Sequence, residues 1–447
     1  MPAFTFRKFA IFLALLTTMA VTAPGIAQSQ PEPLGLTDAI ELALEANLGI
    51  KRSLAEIDAA KATKNKNFTN FLPTFNTSYS YLHRDQEQVQ ELTGVAPVDF
   101  VVSPEDEYTF VTSFKQPVFT GFALLNQYKI ADLGLDAAEI NNKLTRQDVL
   151  LDVKNAYFSV LKAQKLVDVA EQTVILIDSQ KEVSENFYQV GMSPLNDLLQ
   201  AQVQLANAKQ RLITALNNLE IAKAQFNTVL RRPVNTPVTV SDITDYAPFD
   251  RDIETCLEDA RENRLELQIA DLEIDIAERE VRLVEKDFFP DVNLTGTYTR
   301  RGDDYHVDGG EGISDAAFWN IRATASWDFW QWGRTAYGKK EKLSRLAQAK
   351  YRKHELLDNI FLQVKQAFLR TQESEKNIVT IEKALEQAKE NLRITREQYK
   401  EQVATQTDTL VAQTLLTETF TNYYNALYDF KIAKAILYRA LGQEVME

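Results

Sequence analysis

The chain carries one short piece twice. FLPTFNTSYSYL fills residues 71 to 82 and FFPDVNLTGTYT residues 288 to 299, their prolines 217 positions apart (290 − 73). Each sets proline after two apolar residues and then alternates its side chains. The piece belongs to a longer repeat. Glu56-Ile57-Asp58 returns as Glu273-Ile274-Asp275 at the same offset, and beyond the alternating segments the offset becomes 211. There Val153-Lys154 returns as Val364-Lys365. Asp197, Leu199, Ala201 and Gln202 return as Asp408, Leu410, Ala412 and Gln413, and Ala222-Lys223-Ala224 as Ala433-Lys434-Ala435. The offset changes between the two strand-like segments, where the first copy has the longer loop. Solenoid repeats run about 20–50 residues, so these copies read as a duplicated half-structure. The expected division is a first repeat over 28–230, a linker over 231–250 with three prolines, and a second repeat over 251–447.

Each copy predicts helix, strand, strand, long helix, turn, helix. The first helices are expected over about 36–72 and 252–289. Between Phe122 and Val190 there is no proline and one glycine, Gly134; between Gly338 and Gly442 there is neither. Stretches without breakers favour helix. A helix over 122–188 would be roughly 100 Å long at 1.5 Å per residue. Heptad rows run through these segments: Val153, Val160, Val167 and Val174; Leu205, Leu212, Leu219 and Phe226; Leu416, Tyr423, Phe430 and Leu437. Sustained seven-residue spacing means supercoiled helix packing. Such positions are core, not site.

The short segments read as strands with one apolar and one polar face. Phe75, Thr77, Tyr79 and Tyr81 oppose Asn76, Ser78 and Ser80. Tyr108, Phe110, Thr112 and Phe114 oppose Thr109, Val111 and Ser113. In the second copy Val292, Leu294, Gly296 and Tyr298 oppose Asn293, Thr295 and Thr297. Trp319, Ile321, Ala323, Ala325 and Trp327 oppose Asn320, Arg322, Thr324 and Ser326. An ordinary soluble sheet is the plainer reading. Two features favour a membrane barrel. The four tryptophans, Trp319, Trp327, Trp330 and Trp332, cluster at the ends of one strand, and the loops joining the strands are long and polar. Four strands cannot close a barrel with a lumen, and lipid does not tolerate an open edge. The chain is therefore expected to oligomerise, each copy giving one hairpin to a shared wall and one helical hairpin to a shared tube.

Residues 1–27 read as a secretory signal peptide: Arg7 and Lys8, an apolar run, then small residues ending at Ala27. Beyond them no run of 18 apolar residues occurs, so no transmembrane helix is expected. Without that segment the chain has 47 basic (49 − 2) and 63 acidic residues, a net charge of −16. An acidic chain makes a poor nucleic-acid binder. The single cysteine, Cys256, forms no internal disulfide and reads as a buried structural thiol. Three histidines and no phosphate loop, metal-ligand spacing or nucleophile elbow argue against an enzyme, and no cofactor is expected.

The chain resembles the TolC-type outer-membrane efflux proteins over nearly all of the sequence after residue 27. The resemblance rests on the duplicated element order and on the FLP and FFP strand entries. PVFTGF and FWQWGR after the return strands add to it, as do the tip segments YQVGMSPLNDLLQAQ and YKEQVATQTDTLVAQ. It implies a mainly α fold with membrane β. Three chains would form a homotrimeric outer-membrane β-barrel of four strands per chain, continued by a long α-helical barrel across the periplasm. It implies a passive exit duct serving an inner-membrane transporter through a periplasmic adaptor. A trimeric adhesin with a coiled-coil stalk is the competing reading. The resemblance also implies a tip gate, placing Asp197 and Asp408 on inward acidic positions and Tyr399 on an interhelix link. Val411 and Ala404 depart from that pattern, standing where a second acidic ring and an arginine partner would be. N-capping is the competing role for both aspartates. Tyr79, Tyr81, Tyr108, Phe110, Trp319, Trp327, Trp330 and Trp332 are expected to face lipid or its interface.

Overall fold

The computed structural model describes residues 33–92, 98–243, 247–313 and 315–444; the expected signal peptide lies outside them. The first copy holds α1 (Leu36–Ala46), α2 (Leu48–Thr69), β1 (Thr74–His83), β2 (Gln88–Leu92), β3 (Val98–Ser103), β4 (Asp106–Thr120), α3 (Ala123–Gln189) and α4 (Leu195–Val229). The second holds α5 (Ile253–Asn263), α6 (Leu265–Val284), a 3-10 turn over Glu285–Phe288, β5 (Asp291–Gly302), β6 (Ala317–Ser326), α7 (Arg334–Lys400) and α8 (Gln406–Ala440). The element starts keep the sequence offsets: α5 follows α1 by 217 (253 − 36) and α7 follows α3 by 211 (334 − 123).

Two expectations need correction. Each first helix is broken. In the first copy Asn47 ends α1 and caps α2, its side chain accepting from Gly49 N at 2.7 Å and Ile50 N at 3.2 Å. In the second, Arg264 holds the break from outside the helix. It pairs with Glu266 at 2.9 Å and donates to the last carbonyl of α8, Ala440 O, at 3.2 Å. Only Asn47 is a residue that advertises a cap. The first copy's long loop also contains an unpredicted antiparallel pair, β2–β3.

The four long strands form one antiparallel sheet in the order β1-β4-β5-β6. The helices attached to them keep that order, α2 beside α3, α3 beside α6, α6 beside α7. Farther from the sheet the order is α4, α3, α8, α7. The two 67-residue helices thus run through both levels, and shorter helices follow one another along them. Along α3, Asp132 meets Lys64 of α2 at 2.7 Å, while farther down Tyr157 meets Phe226 of α4, ring centroids 6.0 Å apart. At the change of level, α1 buries Leu36, Ala39, Ile40 and Ala43 in the cluster that holds Val153, Tyr157 and Phe430. Tyr157 donates to Ser241 O of the linker at 2.7 Å. On the second copy α5 packs Cys256 and Ala260 among Ile360, Val364 and Phe368.

Strand passes to helix through two consecutive left-handed residues, Gly121-Phe122 in one copy and Trp332-Gly333 in the other. In each pair a glycine takes one position and an aromatic residue the other. Phe122 is held edge-on by Phe119 and Phe289 at 5.4 and 5.8 Å. Gly121 has no such freedom: a Cβ there would sit 2.6 Å from Lys286 O. Gly134, inside α3, faces open space. Opposite outcomes are expected from one substitution. Gly121→Ala should lower thermal stability by more than the roughly 1–2 kcal/mol cost of a left-handed residue. Gly134→Ala should raise it by about 0.8–1 kcal/mol. Thermal unfolding of the detergent-solubilised protein checks both signs.

Candidate functional site

The sheet assembles its faces by register. Tyr79 stands opposite Phe110 and Tyr81 opposite Tyr108. Thr112 stands opposite Tyr298, and Phe114 opposite Gly296. Tyr298 then stands opposite Trp319, and Gly296 opposite Ile321. Residues directly opposed across an antiparallel pair share a face. The four alternations therefore add into one apolar, aromatic face, and Tyr79, Tyr81, Tyr108, Phe110 and Trp319 all lie on it. Phe75 is 75% and Trp319 71% exposed in the single chain. Gly296 is glycine because the Phe114 ring lies across it, where a Cβ would come within 2.2 Å. The other face carries Asn76, Ser113, Thr297 and Asn320 in one row. Trp327, Trp330 and Trp332 lie beyond the end of β6, exposed, in the turn into α7.

At the far end of the helices each hairpin turns in the same way. A left-handed residue, Gly191 or Gln402, closes the long helix. Met192 N and Val403 N each reach back to the carbonyl five residues earlier at 2.8 Å. Asp197 and Asp408 are the third residues of α4 and α8, yet they differ. Asp408 belongs to a capping box: its carboxylate accepts from Thr405 N at 2.9 Å, and Thr405 Oγ accepts from Asp408 N at 3.2 Å. These bonds hold the Asp408 carboxyl below its ordinary range. In the first copy Pro194 offers neither an N–H nor a side-chain oxygen, and α4 has no side-chain cap. Asp197 makes no capping bond.

Tyr399 is buried against Phe187, ring centroids 5.5 Å apart. Burial pushes its hydroxyl up, and the charge of Asp197 adds to the effect. That hydroxyl lies beside Ser184 without a hydrogen bond of good geometry. The structure thus brings Tyr399 near Asp197 and leaves Asp408 bound to its own cap. The sequence reading missed the seam between α3 and α8 above them. Thr173 meets Thr417 at 3.0 Å, and Gln180 donates to Gln406 at 2.8 Å. Gln413 is 1% exposed, and its amide has no partner. Thr173 and Gln180, like Gln406 and Gln413, are seven apart. Polar residues in heptad register were the available signal. Between α4 and α8 at the tip lies a groove of about 600 Å³ lined by Leu199, Val203, Leu410, Val411, Leu415 and Glu418. Among the described residues no helix is long and apolar enough to cross a membrane, and no group of three or more His, Cys, Asp or Glu is placed to hold a metal.

Residues 39–230 and 256–443 match the profile of the family described as Outer membrane efflux protein. The chain belongs to that family. The efflux protein is 22% identical to the outer membrane protein TolC of Salmonella enteritidis over 416 residues, 89% of this chain and 79% of that one. Its fold is that of VceC, an outer membrane protein of Vibrio cholerae, with a TM-score of 0.78, 18% identity and 91% and 96% of the two chains covered. The CmeC outer membrane channel of Campylobacter jejuni superposes with a TM-score of 0.76 at 16% identity, covering 91% and 85%. The efflux protein is an outer-membrane exit duct, with its strands at the membrane and its long helices as the periplasmic extension. The adhesin reading is set aside by the family match.

The caps give a local test. Thr405→Ala should lower stability by about 1 kcal/mol, with faster amide exchange at the second tip than the first. A lowered carboxyl pKa contributes stability present above its ordinary value and lost as pH falls through the lowered one. The difference in exchange between wild type and Thr405→Ala should accordingly close in acid.

Proposed function

We propose that the efflux protein works as a homotrimer whose twelve strands close one barrel, and that its helices form a tube engaged at the tip by a periplasmic adaptor serving an inner-membrane transporter. The observation that carries this is the single chain's open sheet: β1 and β6 each pair on one side only among the described residues. Lipid leaves no unpaired edge standing, and a copy's β6 lies antiparallel to the next copy's β1 if the meander continues. The helices support the same partner. The outermost helices, α4 and α7, leave Val203, Ile213, Leu362 and Leu369 exposed, with Leu362 and Leu369 seven apart. A second copy of this chain, α7 against α4, covers both rows. In that assembly the aromatic face meets lipid at Tyr79, Tyr81, Tyr108, Phe110 and Trp319, with Trp327, Trp330 and Trp332 at the inner interface. The groove at the tip, where Gln200, Gln204 and Thr414 stand among the apolar side chains, is the surface assigned to the adaptor.

The tip gate follows from the same reading. Val411 and Ala404 remove the ion-pair closure that the resemblance implies. The amide and hydroxyl seam of Gln180, Gln406, Thr173 and Thr417 takes its place, with Tyr399 packed beneath it. Asp197, free of a cap, and Asp408 present a negative ring to the entering solute. In a planar bilayer the wild type should prefer cations, less so at high salt, since exposed charges are screened within about 10 Å at 0.1 M. Asp197→Asn with Asp408→Asn should weaken that preference and the block by multivalent cations while leaving the fold intact, because asparagine also accepts at a helix start. Unchanged selectivity would confine both aspartates to local structure. The absence of any channel would contradict the duct.

A further inference from the structure

A cavity of about 430 Å³ lies where the helix order changes, between α3, the start of α6, α7 and the end of α8. Its wall carries three arginines, Arg264, Arg370 and Arg439, against two carboxylates, Asp148 and Glu266. Both carboxylates are already paired. Glu266 accepts from Arg264 Nε at 2.9 Å and Nη2 at 3.0 Å, and from Arg439 Nη2 at 3.0 Å. Asp148 accepts from Arg439 Nε at 2.8 Å. Arg264 is 6% exposed and also donates to Ala440 O and Gln363 Oε1, each at 3.2 Å. Two guanidinium groups still have donors to give. Arg439 Nη1 is buried and has no acceptor among the described residues. Arg370 is exposed and makes no ion pair among them. Neither can shed its charge, since arginine stays protonated in proteins.

The duplication supplies an internal control. At the offset of 217, Arg264 and Glu266 correspond to Asn47 and Gly49; at 211, Arg370 and Arg439 correspond to Ser159 and Thr228. The first copy breaks its helix with the Asn47 side chain alone, through its bonds to Gly49 N and Ile50 N. Ser159 and Thr228 turn their hydroxyls back on their own helices, to Asn155 O at 2.7 Å and Ala224 O at 2.9 Å. The joint is thus built twice and carries arginines once. Its shape does not require them.

We propose that this cavity is an oxyanion site in the wall of the duct, where Arg370 and Arg439 receive the carboxylate or phosphate group of a small solute. Guanidinium groups match both by paired N–H donors. The cavity faces away from the second layer. At 3.6 residues per turn Asp148 and Leu151 fall on the opposite side of α3 from Val149, Val153 and Tyr157, which share the core cluster of α1. Gln363 and Arg370 are likewise turned from Val364 and Phe368, which pack with Cys256 of α5. In the trimeric tube that layer stands outside, since helices about 10 Å thick from three chains would fill the passage. The site then opens on the lumen. Its chemistry rests on this chain alone, and only its place in the lumen rests on the trimeric reading.

Isothermal titration of the detergent-solubilised protein tests the site, with benzoate, methyl phosphate and uncharged benzamide as probes at constant ionic strength in chloride. An oxyanion probe should saturate at one per chain and benzamide should not bind. Benzoate alone identifies a carboxylate solute, methyl phosphate alone a phosphorylated one, and both the chemistry they share. Arg370→Gln removes a charge that holds no partner in the fold and should weaken binding about tenfold, the loss of one charged hydrogen bond. Arg345→Gln, on the same helix but paired with Glu341, should leave binding unchanged. No saturable binding, equal binding of benzamide, or full affinity in Arg370→Gln overturns the site. In a planar bilayer the bound probe, added on both sides, should reduce single-channel current in wild type and less in Arg370→Gln. Undiminished current with intact binding overturns the place in the lumen and leaves the cavity's chemistry standing. A protein that binds the probe as a stable monomer contradicts the trimeric reading and not the site.

Discussion

The interaction on which everything else depends is the backbone hydrogen bond missing from the outer edges of β1 and β6. A four-stranded sheet in water can leave its edges to solvent. The same sheet in lipid cannot, because each unpaired N–H and C=O there costs several kcal/mol. Among the described residues neither end of this meander is paired, since the strands run β1-β4-β5-β6 without returning. The aromatic face that commits the sheet to lipid is the same feature that forbids it to stay open. Closure among copies follows from the pair of facts.

The helices inherit their arrangement from the sheet. α2 runs into β1, β4 into α3, α6 into β5 and β6 into α7, so the order of strands becomes the order of helices. Each strand-to-helix passage spends two left-handed residues to keep the helix below its strand. The duplication solves the length problem. Among the described residues neither 67-residue helix packs along one partner of its own length. The 35-residue α4 and the 22-residue α2 cover α3 in succession, as α8 and α6 cover α7. The joints between successive helices coincide with α1, α5 and the linker, which add a second layer where the pairing changes.

Much of this was legible because it is periodic. The offsets of 217 and 211 reproduced the element starts, and the alternations in four separate strands turned out to share one face. What escaped was local and aperiodic. The break at Arg264 is held by Glu266 and a carbonyl of α8, 176 residues away, which no local propensity announces. The β2–β3 pair escaped because its strands are short and lie in a polar loop. At the tip, matched positions in two copies concealed different chemistry. Asp408 follows Thr405, a capping residue, whereas Asp197 follows Pro194, so equal sequence positions carry unequal bonds. The Gln and Thr seam was hidden by reading heptad rows as apolar core.

The central claim is that copies of this chain close the wall together, three of them in the assembly proposed above. The direct measurement is the protein mass of the detergent-solubilised particle by light scattering, with detergent contribution removed, joined to cross-linking between cysteines placed singly in β1 and β6 of a Cys256→Ser background. The account predicts a mass of three chains and β1–β6 cross-links that join different chains into a ladder ending at the trimer. A stable monomer that conducts, or β1–β6 cross-links formed within one chain, would contradict it.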